Sequence, residues 1–226
     1  MKSIACLAVC LLLSLSWQSA RADLILGNLS DTTLDTGQSF VLLPGSAISV
    51  GLKTSPQISI TSVEFYLKAL NQQSGFNATL KLRTDDANNP GTTLSEFNPV
   101  SIPESNYAKL SFTPIASTQL NANTTYWFTL ESNLPSGNAL NIGAHDPAID
   151  PAATSFASFS GTRFGPSNDQ SSVFPFAPSF QVNGITAVPE PGSLALVSLP
   201  LLYLLHRRRR AELKQSPRIA RSTASQ

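Results

Sequence analysis

The chain has 226 residues with 15 Lys/Arg and 14 Asp/Glu, a formal charge of +1. Its two cysteines, Cys6 and Cys10, both fall in the N-terminal segment, so the remainder can hold no disulfide, thiolate nucleophile or cysteine-ligated zinc. The near-neutral sum hides an asymmetry: residues 23–187 carry twelve acidic and six basic residues, a net of −6, and residues 188–226 carry two acidic and seven basic, a net of +5. An acidic body argues against a nucleic-acid surface.

Residues 1–22 read as a signal peptide. Lys2 supplies a small positive region, Ile4 to Leu15 form an apolar helical stretch, and Ala20 and Ala22 provide the small residues that a signal peptidase reads. Cleavage is expected before Asp23, after export by the Sec machinery. Without this segment and the tail, residues 23–187 remain. They are enough for one domain that stands on its core alone. Ser, Thr and Asn make up 53 of them, which suits an exposed β-protein.

Period-two alternation recurs through this body. Val63, Phe65 and Leu67 alternate with Glu64, Tyr66 and Lys68. Phe76, Ala78, Leu80 and Leu82 alternate with Asn77, Thr79 and Lys81. Leu110 and Phe112 alternate with Lys109 and Ser111, and Tyr126, Phe128 and Leu130 with Thr125, Trp127 and Thr129. Phe174, Phe176, Phe180 and Val182 share one parity. Ile58 and Ile60 are out of phase with Val63, which predicts a bulge near Thr61–Ser62. No window shows a helical stripe. Turns are expected at Pro44-Gly45, Asn89-Pro90-Gly91, Pro135-Ser136-Gly137 and Gly165-Pro166. About eight to ten such strands predict an all-β fold, an antiparallel β-sandwich. A jelly-roll-like order is expected, with an immunoglobulin-like one as the alternative.

Three segments of the body, Gly37-Gln38-Ser39-Phe40, Leu82 to Leu94 and Leu120 to Phe128, resemble the choice-of-anchor R type domains. These are bacterial surface β-sandwiches carried on interchangeable anchors. The resemblance implies a fold and a surface location; the family supplies no activity to carry over.

Residues that carry chemistry are few. His145 stands beside Asp146 in a proline-rich loop and reads as a surface turn. No Gly-x-Ser-x-Gly or HExxH motif occurs. Asp85 and Asp86, with Asn88 and Asn89, offer oxygen ligands of the calcium type, but the same residues are ordinary turn formers. No cofactor is expected. Tyr66, Tyr107 and Trp127 occupy the polar parity of their strands. If those strands share a sheet, three rings emerge on one face as a glycan-stacking platform. The competing expectation is that a loop or the second sheet covers them.

The tail has three parts in sequence. Val188-Pro189-Glu190-Pro191 is a rigid extended stretch, because each proline fixes its own φ and biases the residue before it. Leu194 to Leu205 is an apolar helical segment, shorter than the roughly 20 residues of a full span. Arg207, Arg208, Arg209 and Arg210 form a cationic stop that favours the cytoplasmic side. This order, at residues 188–210, resembles the PEP-CTERM sorting signal of Gram-negative bacteria that produce exopolysaccharide. The resemblance implies recognition and cleavage by a membrane-bound exosortase near Pro189–Pro191, transient anchoring in the inner membrane, and delivery to the cell surface or extracellular matrix. Residues 211–226 depart from the pattern as a polar, basic cytoplasmic extension expected to be disordered.

Together these readings predict a non-enzymatic exported surface or matrix protein. Its rivals are a carbohydrate-binding module that retains matrix polysaccharide, and a polysaccharide hydrolase or lyase.

Overall fold

Fourteen β-strands and no helix occur among the described residues of the computed structural model, which are 22–29, 38–70, 76–104, 106–136, 138–144, 151–175 and 177–186. The signal segment with Ala20, the pair His145-Asp146, Phe176, and the tail with Val188 to Pro191 and Arg207 to Arg210 lie outside them.

The strands form two seven-stranded sheets, and every pairing is antiparallel. The first is organised on the longest strand, β4 (Ile58–Leu70). β14 (Phe180–Thr186) and β11 (Ala139–Ala144) lie along one edge of it, and β8 (Ala108–Phe112) and β9 (Thr118–Leu120) along the other. β1 (Asp23–Gly27) then adds to β14, and β2 (Gln38–Leu42) to β11. The second sheet runs β13 (Ser172–Phe174), β12 (Ala157–Pro166), β3 (Ser46–Thr54), β10 (Thr125–Glu131), β5 (Asn77–Asp86) and β6 (Asn89–Glu96), with β7 (Val100–Ser101) also paired to β5. This is the expected all-β sandwich. The strand number exceeds the expected eight to ten in part because β7, β9 and β13 have only two or three residues, too few to show an alternation.

The core follows the parity read from the sequence. Val63, Phe65 and Leu67 of β4, Ala78, Leu80 and Leu82 of β5, and Phe180 and Val182 of β14 are all buried. Phe65 anchors an aromatic group, with ring centroids 6.3 Å from Phe112 and 6.1 Å from Phe180. Phe40 of β2 meets Phe174 of β13 edge to face at 4.6 Å, which links the two sheets along one side. The break in phase at Thr61 is a bulge: Asn183 pairs with Ser62 and Gly184 with Ile60, so Thr61 has no opposite residue. The inserted residue lets Ile58 and Ile60 face the same interior as Val63.

The β5–β6 turn differs from expectation. It falls on Ala87-Asn88, with Asp86 opposite Asn89, and Pro90 lies within β6. Both central residues have positive φ, +50° at Ala87 and +67° at Asn88, as in the type I′ turn that suits a two-residue hairpin. Pro90 is tolerated because β6 is an edge strand. The turn expected at Gly165-Pro166 falls two residues later, at Ser167-Asn168.

Two stability changes are expected in urea unfolding of the protein. Phe65→Ala removes the centre of the aromatic group and should cost about 3–5 kcal/mol. Ala87→Gly should raise the midpoint, by up to about 1 kcal/mol, because glycine alone adopts positive φ freely.

Candidate functional site

The outward face of the second sheet is built around β10. Its whole length from Tyr126 to Glu131 is buried on both faces. Tyr126, Phe128 and Leu130 point into the core; Trp127, Thr129 and Glu131 point the other way. Trp127 is fully buried. Opposite it in β3 stands Gly51, where a Cβ would come within 2.9 Å of the indole carbons Cη2 and Cζ3. The glycine makes the recess in which the ring lies. Trp127 Nε1 donates to Asp85 Oδ1 at 2.7 Å, and the Arg163 guanidinium of β12 sits 5.4 Å from the ring centroid.

Polar groups complete this covered layer. Glu131 accepts from Lys81 Nζ at 2.7 Å and Arg83 Nη2 at 2.9 Å. Arg83 also donates to the backbone oxygen of Ser167 at 3.3 Å. Thr129 bonds Ser49 at 2.7 Å, and Ser49 donates to Gln170. The segment 167–170 thus folds back over the face and closes it. Arg163 Nε donates to the backbone oxygen of Asn88 at 2.9 Å and to Asn89 Oδ1 at 3.1 Å, tying the β5–β6 hairpin to β12.

The three rings expected to share a face do not. Tyr66 belongs to β4 in the first sheet, and Tyr107 precedes β8 in that same sheet. Trp127 lies in the second sheet beneath the Arg163 guanidinium. Tyr66 and Tyr107 stack on each other, with centroids 5.5 Å apart and planes 7° apart, and Lys68 Nζ stands 4.5 Å from the Tyr107 centroid. Each ring therefore gives a face to its neighbour. Trp127 is buried rather than exposed, with Arg163 of its own sheet over the ring.

Asp85, one of the two aspartates weighed as calcium ligands, is exposed, and each of its oxygens accepts one hydrogen bond. Oδ1 accepts from Trp127, and Oδ2 accepts from the backbone N–H of Asn88 at 3.4 Å. The second is the local bond of a turn aspartate. Asp86 is exposed at the end of β5. Among the described residues no group of three His, Cys, Asp or Glu side chains converges as a metal site.

A concave site that the sequence did not single out opens between the sheets. It is a cleft of about 770 Å³ lined by fourteen residues. Leu82, Thr84 and Asp85 come from β5, Leu94 and Ser95 from β6, and residues 116–119 from β9 and the turn before it. Asn121 and Asn123 to Tyr126 complete it from the β9–β10 turn and β10. Tyr126 and Leu82 are its buried floor. The Tyr126 hydroxyl accepts from the Asn121 N–H at 2.9 Å, leaving its own proton free to donate. Ser95 and Thr118 bond each other at 2.9 Å across the cleft, joining the two sheets there. Nine of the lining residues fall in Leu82–Leu94 and Leu120–Phe128, two of the segments that resemble choice-of-anchor domains. The one sequence signal that could have pointed here is the polar run Asn121-Ala122-Asn123-Thr124-Thr125.

The sequence matches no protein-family model, and no curated protein matches it.

The fit of Trp127 against Gly51 predicts coupled effects on stability. Trp127→Phe, which loses the bond to Asp85, should cost about 1–3 kcal/mol. Gly51→Ala should cost about 1–3 kcal/mol through overpacking, and less in the Trp127→Phe background, where the smaller ring leaves room. Full additivity in a double-mutant cycle would show that the two residues do not form one packing unit.

Proposed function

We propose that this is a non-enzymatic surface or extracellular-matrix protein, exported by the Sec machinery and sorted and cleaved by an exosortase. The supporting observation is how the outermost strands bracket the body. β1 begins at Asp23, the residue after the expected signal-peptidase site, and β14 ends at Thr186, just before Val188. The two pair antiparallel, with Asp23 opposite Gly184. The chain therefore enters and leaves the sandwich at the same end of one strand pair. Both processing sites would be held near one side of the body, as a protein handled at one membrane through both its ends requires.

Mass spectrometry of the protein from its producing cell, with and without the exosortase, tests the sorting route. The expected mature species starts at Asp23 and ends near Pro189–Pro191, and it ends there only when the enzyme is present. A C-terminus at Gln226 in both strains would replace sorting with simple tethering.

A further inference from the structure

The cleft between the sheets has a definite chemical character. Besides the engaged Asp85, its lining contains no carboxylate, and it contains no lysine, arginine or histidine. Hydroxyl and amide side chains predominate. The side chains of Ser117, Asn121, Asn123 and Thr125 make no hydrogen bond among the described residues, and Ser117, Asn121 and Asn123 are exposed. Groups of this kind both donate and accept, so they match a partner whose own groups do the same.

Apolar surface sits beside them. Leu94, on the rim, is 52% exposed, and Ile115, next to the lining residue Ala116, is 61% exposed. Large aliphatic side chains at such exposure are few on this body. The Tyr126 ring adds an aromatic wall at the floor. A sugar residue presents this combination: hydroxyl groups around its rim and C–H surfaces on its faces. The absence of a cation disfavours phosphate, sulfate and uronate groups, which are held by arginine or lysine. The volume lies in the range of about 300–1,000 Å³ usual for ligand sites.

We propose that this cleft binds a neutral oligosaccharide stretch of the matrix polymer, with Gln119, Asn121 and Ser117 as hydrogen-bonding groups and Leu94 and Tyr126 as the apolar surfaces. The proposal rests on the reading of the protein as a matrix component. It places the glycan away from Tyr66 and Tyr107, which stand on the other sheet.

The test is isothermal titration of the full-length protein in detergent, with cellotriose, maltotriose, xylotriose and the neutral polysaccharide fraction of the producing cell as probes, and trigalacturonate as the acidic comparison. At least one neutral probe should bind. Gln119→Ala combined with Asn121→Ala should weaken that binding at least tenfold, and Ser117→Trp should abolish it by filling the cleft; these side chains lie outside the core, so unchanged circular dichroism checks the fold. Tyr107→Ala should leave binding unchanged. Loss of binding in Tyr107→Ala but not in the cleft variants would overturn the cleft while keeping a glycan ligand. Preference for trigalacturonate, or no binding by any neutral probe, would overturn the proposal itself. The mature C-terminus reports on sorting independently, so either reading can fail alone.

Discussion

Strand β10 is shielded from water on both faces, and much of the second sheet is arranged around that condition. A strand with a polar face turned to solvent needs nothing there. Once the face is covered, each polar atom on it needs a partner. The indole N–H of Trp127 finds Asp85, Glu131 finds Lys81 and Arg83, and Thr129 finds Ser49. These partners come from β3 and β5 on either side. Of the cover, segment 167–170 is fastened by two of these partners, Arg83 and Ser49, and Arg163 by Asn88 and Asn89 of the β5–β6 hairpin. Because Asp85 and Tyr126 also belong to the cleft, the packing behind β10 fixes one wall of the candidate binding site.

Much of this was legible in the residues, and the failures have physical causes. Strands β4, β5, β8 and β10 announce themselves by alternation, and the bulge at Thr61 by a slip in phase. Alternation reports which face is apolar; it does not report whether something later in the chain lies over the other face. That is why Trp127 reads as a candidate for exposure although Arg163, thirty-six residues later, lies over it. The β5–β6 turn was misplaced for a similar reason. Asn89-Pro90-Gly91 carries the familiar turn residues, but pairing of Asp86 with Asn89 confines the reversal to Ala87-Asn88. The cleft gathers residues from both sheets and two turns, and no local pattern joins Thr84 to Gln119. Only the sandwich topology does.

The two sheets also divide the exposed chemistry. The first carries Tyr66, Tyr107 and Lys68 in mutual contact, a group whose interactions are largely with itself. The second contributes half of the residues that line the hydroxyl-rich cleft, where the side chains of Ser117, Asn121, Asn123 and Thr125 make no hydrogen bond among the described residues. A neutral site on an acidic body would draw little from long-range electrostatic steering, so occupancy would depend on local polymer concentration.

The pairing of β1 with β14 also bears on when the body can fold. β1 emerges first after the signal segment, yet its strand partner is the last strand made. Contacts between residues so far apart in the chain form slowly, because the loop between them must be closed first. The first sheet consequently stays incomplete until almost all of the body has been synthesised. For export of the kind proposed, a chain that delays its own closure in this way would stay threadable until both ends of the body had passed the membrane.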